Sequence, residues 1–540
     1  MTIFTTAQLG WRIVVFYFLV CVLMISADPG LLNWLDSLAY DRKEGHSIIG
    51  RLVVLLATAG IVMLPLLAPS RLLRLPVLLL ILVFMTTGIS FRLINGQFSI
   101  WEATLLLNES AFAADAIAEF IAEVAQAFCF SLLAVVVLLL TRPPVSLSLK
   151  ASAWLFLPLL LPGLYLHFAQ GGYWIRHFSL PLKVPATIAF AADSPYTQQA
   201  RQPPRIVQRN VVTHNIILIV DESIRGDFLT INNSFETTTP YLSKLVAEQG
   251  WQNFGVVSAM ANCSAPANLL LRTGIPPSAL PHQAVRLFRD ANIFQYANAS
   301  GFYTEYFDGQ VKGKRLNNYF TRHEIAVIDD YRPFRNHYAL DEAEVDQRMA
   351  ASVAGVLNDQ TQPVFMYINK VGTHFPYQLT YPDILQQPDD VKLDHYRRAV
   401  NWNVDRFLQV LVAGLEHNGE PTLIFYTSDH GQGLGEQGIR STHCLPRGVP
   451  DVQARIPLVI GAVGMAMPQH WQVQAGQYSQ FQLFPSLIRA MGLTIEQPDL
   501  ALDLSQPWPS ARFFLSGDIT GRGQLSRNPF LYRDRETVGR

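Results

Sequence analysis

The residues best equipped for chemistry in this 540-residue chain fall in a few short stretches. The densest is Ser428-Asp429-His430-Gly431-Gln432-Gly433-Leu434-Gly435-Glu436, where a carboxylate and an imidazole stand side by side ahead of a glycine-rich turn. Oxygen and nitrogen donors together suit a transition metal such as zinc. Asp221-Glu222 adds two acids, of which Glu222 is the third metal-ligand candidate; helix N-capping is the other use of acids at such a place. In Asn262-Cys263-Ser264-Ala265-Pro266-Ala267-Asn268 a small hydroxyl residue precedes a proline and an apolar helical run. This pattern predicts Ser264 at a helix N-terminus, where unpaired N–H groups stabilise an anionic phosphoryl or sulfuryl group. Metal coordination would activate its weak hydroxyl, whereas a plain capping serine is the alternative. His374 and His443 complete the set as phosphate binders or proton donors.

Rigid elements must hold these residues at one place. Apolar, β-rich runs at 215–220, 364–368, 422–426 and 457–461 read as strands, and helical patterns at 341–357 and 393–414 lie between them. Alternation of this kind predicts an α/β domain with a central, mostly parallel sheet. Glu222, His374, Asp429 and His430 each come just after a strand. Ligands of open α/β sheets bind beyond those carboxyl ends.

The first third of the chain is different. Hydrophobic residues make up 50% of the whole and charged ones only 15%, an excess concentrated before residue 170. Apolar runs at 11–27, 52–68, 75–91, 124–140 and 151–168 approach the roughly 20 residues that span a bilayer, so five transmembrane helices are expected. The distribution of Arg71, Arg74, Arg142 and Lys150 against the acidic loops favours a cytoplasmic N-terminus, with everything after residue 168 outside. The segment 108–123 carries four carboxylates and reads either as a solvated interfacial helix or as a lip for a cationic lipid head group. Residues 171–209, rich in Pro and Gln, read as a linker with an interfacial helix, and 210–540 as the catalytic domain. A net charge of −1 gives no basic surface for nucleic acid, and the four cysteines form no CxxC pair.

Taken together, these motifs resemble the alkaline-phosphatase and sulfatase superfamily, and within it the membrane-anchored bacterial phosphoethanolamine transferases. That family's Gly-Glu-Thr-x-Arg-x-Asp is matched by Asp221-Glu222-Ser223-Ile224-Arg225-Gly226-Asp227. Its Ser-Asp-His-Gly-Glu-Ser-Leu-Gly-Glu-x-Gly is matched from Ser428 to Gly438, with Gln432 and Gly433 in place of Glu-Ser. Its His-Gly-Pro corresponds to His374-Phe375-Pro376, and its later His to His443. The resemblance implies Zn2+ held by Glu222, Asp429 and His430 together with the nucleophile, and His374 and His443 near the transferred phosphate. Lipid A enzymes of the family use a Thr in Cys-Gly-Thr-x-Thr, which is missing here; the cellulose-modifying branch has Ser-Gly-Pro-Ala, similar to Ser264-Ala265-Pro266-Ala267. The sulfatase signature also aligns Ser264, Pro266, Thr273 and Gly274. Asn268 replaces its Arg, against formylglycine conversion and sulfate-ester hydrolysis, and is assigned with Lys312 to substrate contact; a solvated lysine is the alternative for Lys312. In an oxidising compartment Cys263 and Cys444, each beside a site residue, would be able to pair, and the sequence leaves both pairing and free thiols open.

The activity implied is zinc-dependent transfer of phosphoethanolamine from phosphatidylethanolamine, through a covalent serine intermediate, to a hydroxyl or phosphate of a cell-envelope glycan or lipid. Lipid A, a core sugar and another polysaccharide all qualify as acceptor. The location implied is the bacterial inner membrane, with the catalytic domain in the periplasm. Glycerol-phosphate transfer, hydrolysis on the same scaffold, and a non-catalytic lipid-binding regulator are the competing readings.

Overall fold

The computed structural model describes residues 6–27, 62, 71–95, 98, 103, 106–107, 117–118, 120–140 and 179–192 of one compact unit, 1–194. Of the second, 195–540, it describes 200–280, 283–311, 316–338, 340–438, 442–445, 449–468, 473–496, 502–509, 512–516, 519 and 530–531.

The described part of the first unit is helical: α1 (Thr6–Ala27), α2 (Arg71–Asn95), α3 (Ile121–Leu140) and α4 (Leu180–Ala192). Phe16, Val20, Leu78, Ile81, Met85, Ala134 and Val184 share one buried cluster. The remaining faces are also apolar: Phe18, Leu79, Val83, Phe128 and Leu133 are exposed. Helices apolar all round belong in a core or a membrane. Two stretches, Arg74–Ile94 and Ile121–Leu140, are long and apolar enough to cross a bilayer. They coincide with the expected spans at 75–91 and 124–140, and α1 covers 11–27. The expected spans at 52–68 (Val62 apart) and 151–168 lie outside the described residues, as does most of the acidic segment 108–123.

The second unit is built on a seven-stranded sheet of order β3-β8-β7-β2-β6-β4-β5. Its strands are β2 (Asn215–Asp221), β3 (Gln252–Ser258), β4 (Tyr303–Asp308), β5 (Asp330–Pro333), β6 (Val364–Asn369), β7 (Thr422–Ser428) and β8 (Arg455–Val463). A short strand, β1 (Ile206–Arg209), pairs separately with β9 (Leu493–Ile495). β2, β4, β5, β6 and β7 run parallel, whereas β8 is antiparallel to both β7 and β3. The reversal has a simple cause. Between β7 and β8 the described chain holds only short 3₁₀ turns and no crossover helix, so β8 starts at the edge where β7 ends.

Every residue of β2, β6 and β7 is buried, as expected for parallel strands covered on both faces. Alternation divides β2 between two cores. Ile216, Leu218 and Val220 pack with Leu269, Leu270 and Leu487, while Ile217 and Ile219 pack with Met349, Val353, Leu411 and Leu415. Helices Ser264–Thr273 (α5) and Leu483–Ala490 (α8) therefore cover one face, and Glu342–Asn358 (α6) and Phe407–Asn418 (α7) the other.

β4 is a strand that apolar-run reading passes over, because it carries Glu305 in its interior. Glu305 is fully buried, and neither carboxylate oxygen makes a hydrogen bond, although Arg332 of β5 lies 2.7 Å away. Burial pushes its pKa up to about 8, the pull of Arg332 offsetting only part of the cost and Asp330 and Asp329 adding to it. A carboxyl with a raised folded-state pKa contributes stability that is complete below about pH 4.5 and is lost as pH rises through about 8. Glu305→Gln is therefore expected to raise the thermal midpoint relative to the parent at pH 9, with the gap closing by pH 5; a gap of equal size at both pH values would contradict this.

Candidate metal and nucleophile site

The described ligand, nucleophile and histidine candidates come from segments that leave the same edge of the sheet. Glu222 follows β2, Ser264 opens α5 after β3, His374 follows β6, and Asp429 and His430 follow β7. His443 sits on the excursion between β7 and β8. Cys263 caps α5 with extended backbone, and Pro266 falls in the first turn, where its missing N–H costs nothing. Cys263 is bonded to Cys444, which fastens the start of α5 to the loop carrying His443. The backbone repeats that tie, since the Cys444 N–H donates to the Asn262 carbonyl at 2.8 Å.

Ser264 Oγ donates to Glu222 Oε2 at 2.9 Å and lies 3.0 Å from His430 Nε2. His430 Nδ1 is 2.7 Å from the Gly431 carbonyl, an acceptor only, so Nδ1 carries a proton and Nε2 is the nitrogen turned toward the serine. Glu222 Oε1 and Asp429 Oδ2 lie 3.3 and 3.6 Å from Nε2. Asp429 Oδ1 accepts from the N–H groups of Ser223 and His430, but Asp429 Oδ2 is buried with no hydrogen bond. An orphaned buried carboxylate oxygen is costly unless something cationic meets it.

These donors fit zinc. With metal–donor bonds of about 2.0–2.1 Å, two corners of a coordination tetrahedron lie ~3.3 Å apart, the range of the separations above. The electrostatics agree. Burial and the neighbouring Glu222 hold the Asp429 carboxyl well above the usual carboxylate range. Burial opposes ionisation of Glu222 too, but His430 outweighs it and draws that carboxyl well below its ordinary value. The His430 imidazole is pushed up to about 9 by the same two carboxylates against its own burial. The cluster thus takes up positive charge wherever it can.

His443 stacks on His430 with ring centroids 4.5 Å apart, and with Glu222 and His430 it forms a group able to hold a metal. Burial and then His430 keep its pKa well below the ordinary value, so it is a neutral imidazole. His374 is half-buried, its ring centroid 6.4 Å from that of His443. Asn268 is placed differently from the expectation of a substrate contact. It is fully buried within α5, its Nδ2 donating to the Ser264 carbonyl and its Oδ1 accepting from Tyr367, so both ends are used inside the protein. Lys312 lies outside the described residues.

Sequence reasoning missed the supports. Lys370, fully buried, donates to Asp221 Oδ2 at 2.6 Å and to the Asn403 carbonyl, and lies 3.6 Å from Asp346. Asp346 accepts from the N–H groups of Val371 and Gly372. Gly372 has φ +54°, and a Cβ there would sit 2.4 Å from Asp221 Oδ1 and 2.6 Å from the Glu222 backbone, so only glycine fits beneath the ligand loop. Gln310, after β4, donates to Glu222 Oε2 at 2.9 Å. A buried lysine beside strand ends and a glutamine behind an unread strand left no signal by residue type alone.

A family model described as Sulfatase matches residues 214–493. Phosphoethanolamine transferase EptA of Helicobacter pylori is 22% identical over 263 residues, 46% of this chain and 47% of that protein, so the match spans about half the relative's length. Among solved structures, the integral membrane protein lipooligosaccharide phosphoethanolamine transferase A (EptA) from Neisseria meningitidis has a TM-score of 0.58 at 15% identity, covering 88% of this chain and 95% of that one. The C-terminal periplasmic domain of EcEptC from Escherichia coli, in complex with Zn, has a TM-score of 0.52 at 16% identity, covering 62% and 97%. At such identities the likeness is one of fold.

Purified full-length protein is expected to keep zinc through desalting, measured by plasma mass spectrometry, and Asp429→Asn to lose most of it. Equal zinc in both would remove Asp429 from the donor set.

Proposed function

Since this chain belongs to the sulfatase family, we propose that it is a membrane-anchored phosphoethanolamine transferase that moves the phosphoethanolamine group of phosphatidylethanolamine onto a cell-envelope glycan or lipid. The observation that carries this reading is Ser264 Oγ, held within hydrogen-bond reach of both Glu222 and His430 beside the unsatisfied Asp429 Oδ2. The relatives named as phosphoethanolamine transferases, one of them a zinc complex, support it. The helices able to cross a bilayer suit a lipid donor and a lipid leaving group. The Cys263–Cys444 disulfide suits an oxidising compartment, and hence a periplasmic catalytic domain on an inner-membrane anchor.

Glu222, Asp429 and His430, with Ser264, would hold zinc, which supplies a Lewis acid that lowers the serine pKa and balances charge on the phosphoryl oxygens. The chain's own residues do the rest. Glu222 Oε2 accepts a hydrogen bond from the Ser264 hydroxyl and so orients its oxygen. Ser264 Oγ forms a bond to phosphorus as the bond from phosphorus to the glycerol oxygen breaks, and diacylglycerol leaves with the proton that Ser264 gives up, relayed by His374 or His443. An acceptor hydroxyl or phosphate then attacks the same phosphorus, the bond to Ser264 Oγ breaks, and the histidine takes up the acceptor's proton and returns it to the serine oxygen. The neutral state of His443 equips it to accept that proton.

The test is intact mass after incubation with phosphatidylethanolamine. The parent is expected to gain a phosphoethanolamine adduct and Ser264→Ala none, with zinc content kept. An adduct formed only with phosphatidylglycerol would reassign the donor to glycerol phosphate. No adduct with either lipid in zinc-loaded protein would leave hydrolysis or non-catalytic lipid binding.

A further inference from the structure

Gln310 stands 6% exposed in the turn after β4, outside every motif described above. Its Nε2 donates to Glu222 Oε2 at 2.9 Å and to the Lys370 carbonyl at 3.0 Å, and its Oε1 accepts from Asn318 Nδ2 at 2.9 Å. The amide orientation follows from chemistry. A carboxylate and a carbonyl only accept, so the NH₂ end must face them, and the Asn318 amide supplies the matching donor on the other side. The turn itself is held by Asp308, which accepts from the N–H groups of Gln310 and Val311, and Asn318 is anchored through its carbonyl by the buried Arg272.

The two oxygens of Glu222 are thereby given different surroundings. Oε2 receives Gln310 and Ser264, while Oε1 receives Ser223 at 2.6 Å and lies 3.3 Å from His430 Nε2. Without the amide, Oε2 would keep only the rotatable Ser264 hydroxyl, and the plane of the carboxylate would be less firmly set toward His430. Gln310 also joins the Glu222 side chain to the end of β6 through the Lys370 carbonyl, so two neighbouring strands hold one carboxylate.

We propose that Gln310 is a positioning residue that orients the Glu222 carboxylate for metal binding by hydrogen-bonding Oε2 and leaving Oε1 toward His430. This rests on the reading of Glu222, Asp429 and His430 as zinc donors. Outer hydrogen bonds of this kind are worth about 10–100-fold in metal affinity.

The experiment compares full-length parent, Gln310→Met, which keeps the length and loses the donor, and Gln310→Asn, which withdraws the amide by one methylene. Zinc affinity is measured by chelator competition, the visible spectrum is recorded after cobalt(II) substitution, and the thermal midpoint is taken without metal. The expected result is a fall of about 10–100-fold in zinc affinity and a changed cobalt spectrum in both variants. Parental affinity and an unaltered spectrum in either folded variant would overturn the proposal, even with a lowered metal-free midpoint, because that pattern describes packing alone. A parent that binds no zinc would overturn the underlying metal site instead, which separates the two failures.

Discussion

The interaction on which the rest of the second unit depends is the burial of the Lys370 ammonium between Asp221 and Asp346. Removing an ion from water costs several kcal/mol even after relaxation, so such a group persists only with complete partners. Lys370 has them: Asp221 at 2.6 Å, the Asn403 carbonyl, Asp346, and the face of Phe407 at 4.1 Å. Those partners come from β2, α6, α7 and the π-helical segment Asn401–Arg406, whose widened turn sets Asn403 over the lysine. Irregular turns of this type recur at functional sites. Asp221 gains Tyr426 as a second donor to Oδ2, and its Oδ1 accepts from the Glu222 N–H. Burial still pushes Asp221 up to about 6, with Lys370 pulling the other way. One buried cation therefore sets the direction in which the strand end delivers Glu222.

Above it the balance of charge reverses. Glu222 and Asp429 are both buried, with His430 as the nearest group able to take a positive charge. The lower layer is closed by a lysine of the chain, whereas the upper layer leaves Asp429 Oδ2 without a hydrogen bond. A protein can afford such an oxygen where a cation from outside completes the set. Ser264 and His443 are tied to this layer covalently as well, because Cys263 and Cys444, 181 positions apart, adjoin them.

Much of this was legible in the residues, and the exceptions have physical causes. β2, β6, β7 and β8 are buried runs that announce themselves, and Ser264, Asp429, His430 and Glu222 follow the strand ends where the motifs put them. β4 did not, because a strand with a glutamate in its interior breaks the apolar pattern, and Gln310 went unseen with it. The direction of β8 was equally hidden, since strand direction depends on how the chain returns and not on the strand's own composition. Lys370 and Asp346 carry types that belong at a surface, and only tertiary structure buries them together. In the first unit, length and hydropathy were enough to find α2 and α3.

The places where the chain departs from its family's motifs now separate by what they touch. Gln432, where the family has Glu, is fully buried and donates to the Tyr377 hydroxyl. Gly433 donates its N–H to the Thr442 carbonyl and so helps to seat the loop that brings His443 over His430. Asn268, where the sulfatase signature has Arg, spans from the Ser264 carbonyl to Tyr367 and stiffens the first turn of α5 beneath the nucleophile. A charged arginine at that fully buried point would need a counter-ion that Tyr367 cannot provide; the neutral amide satisfies both of its neighbours. The substitutions thus alter the scaffold around Ser264, Glu222, Asp429 and His430 while leaving those four side chains within reach of one another.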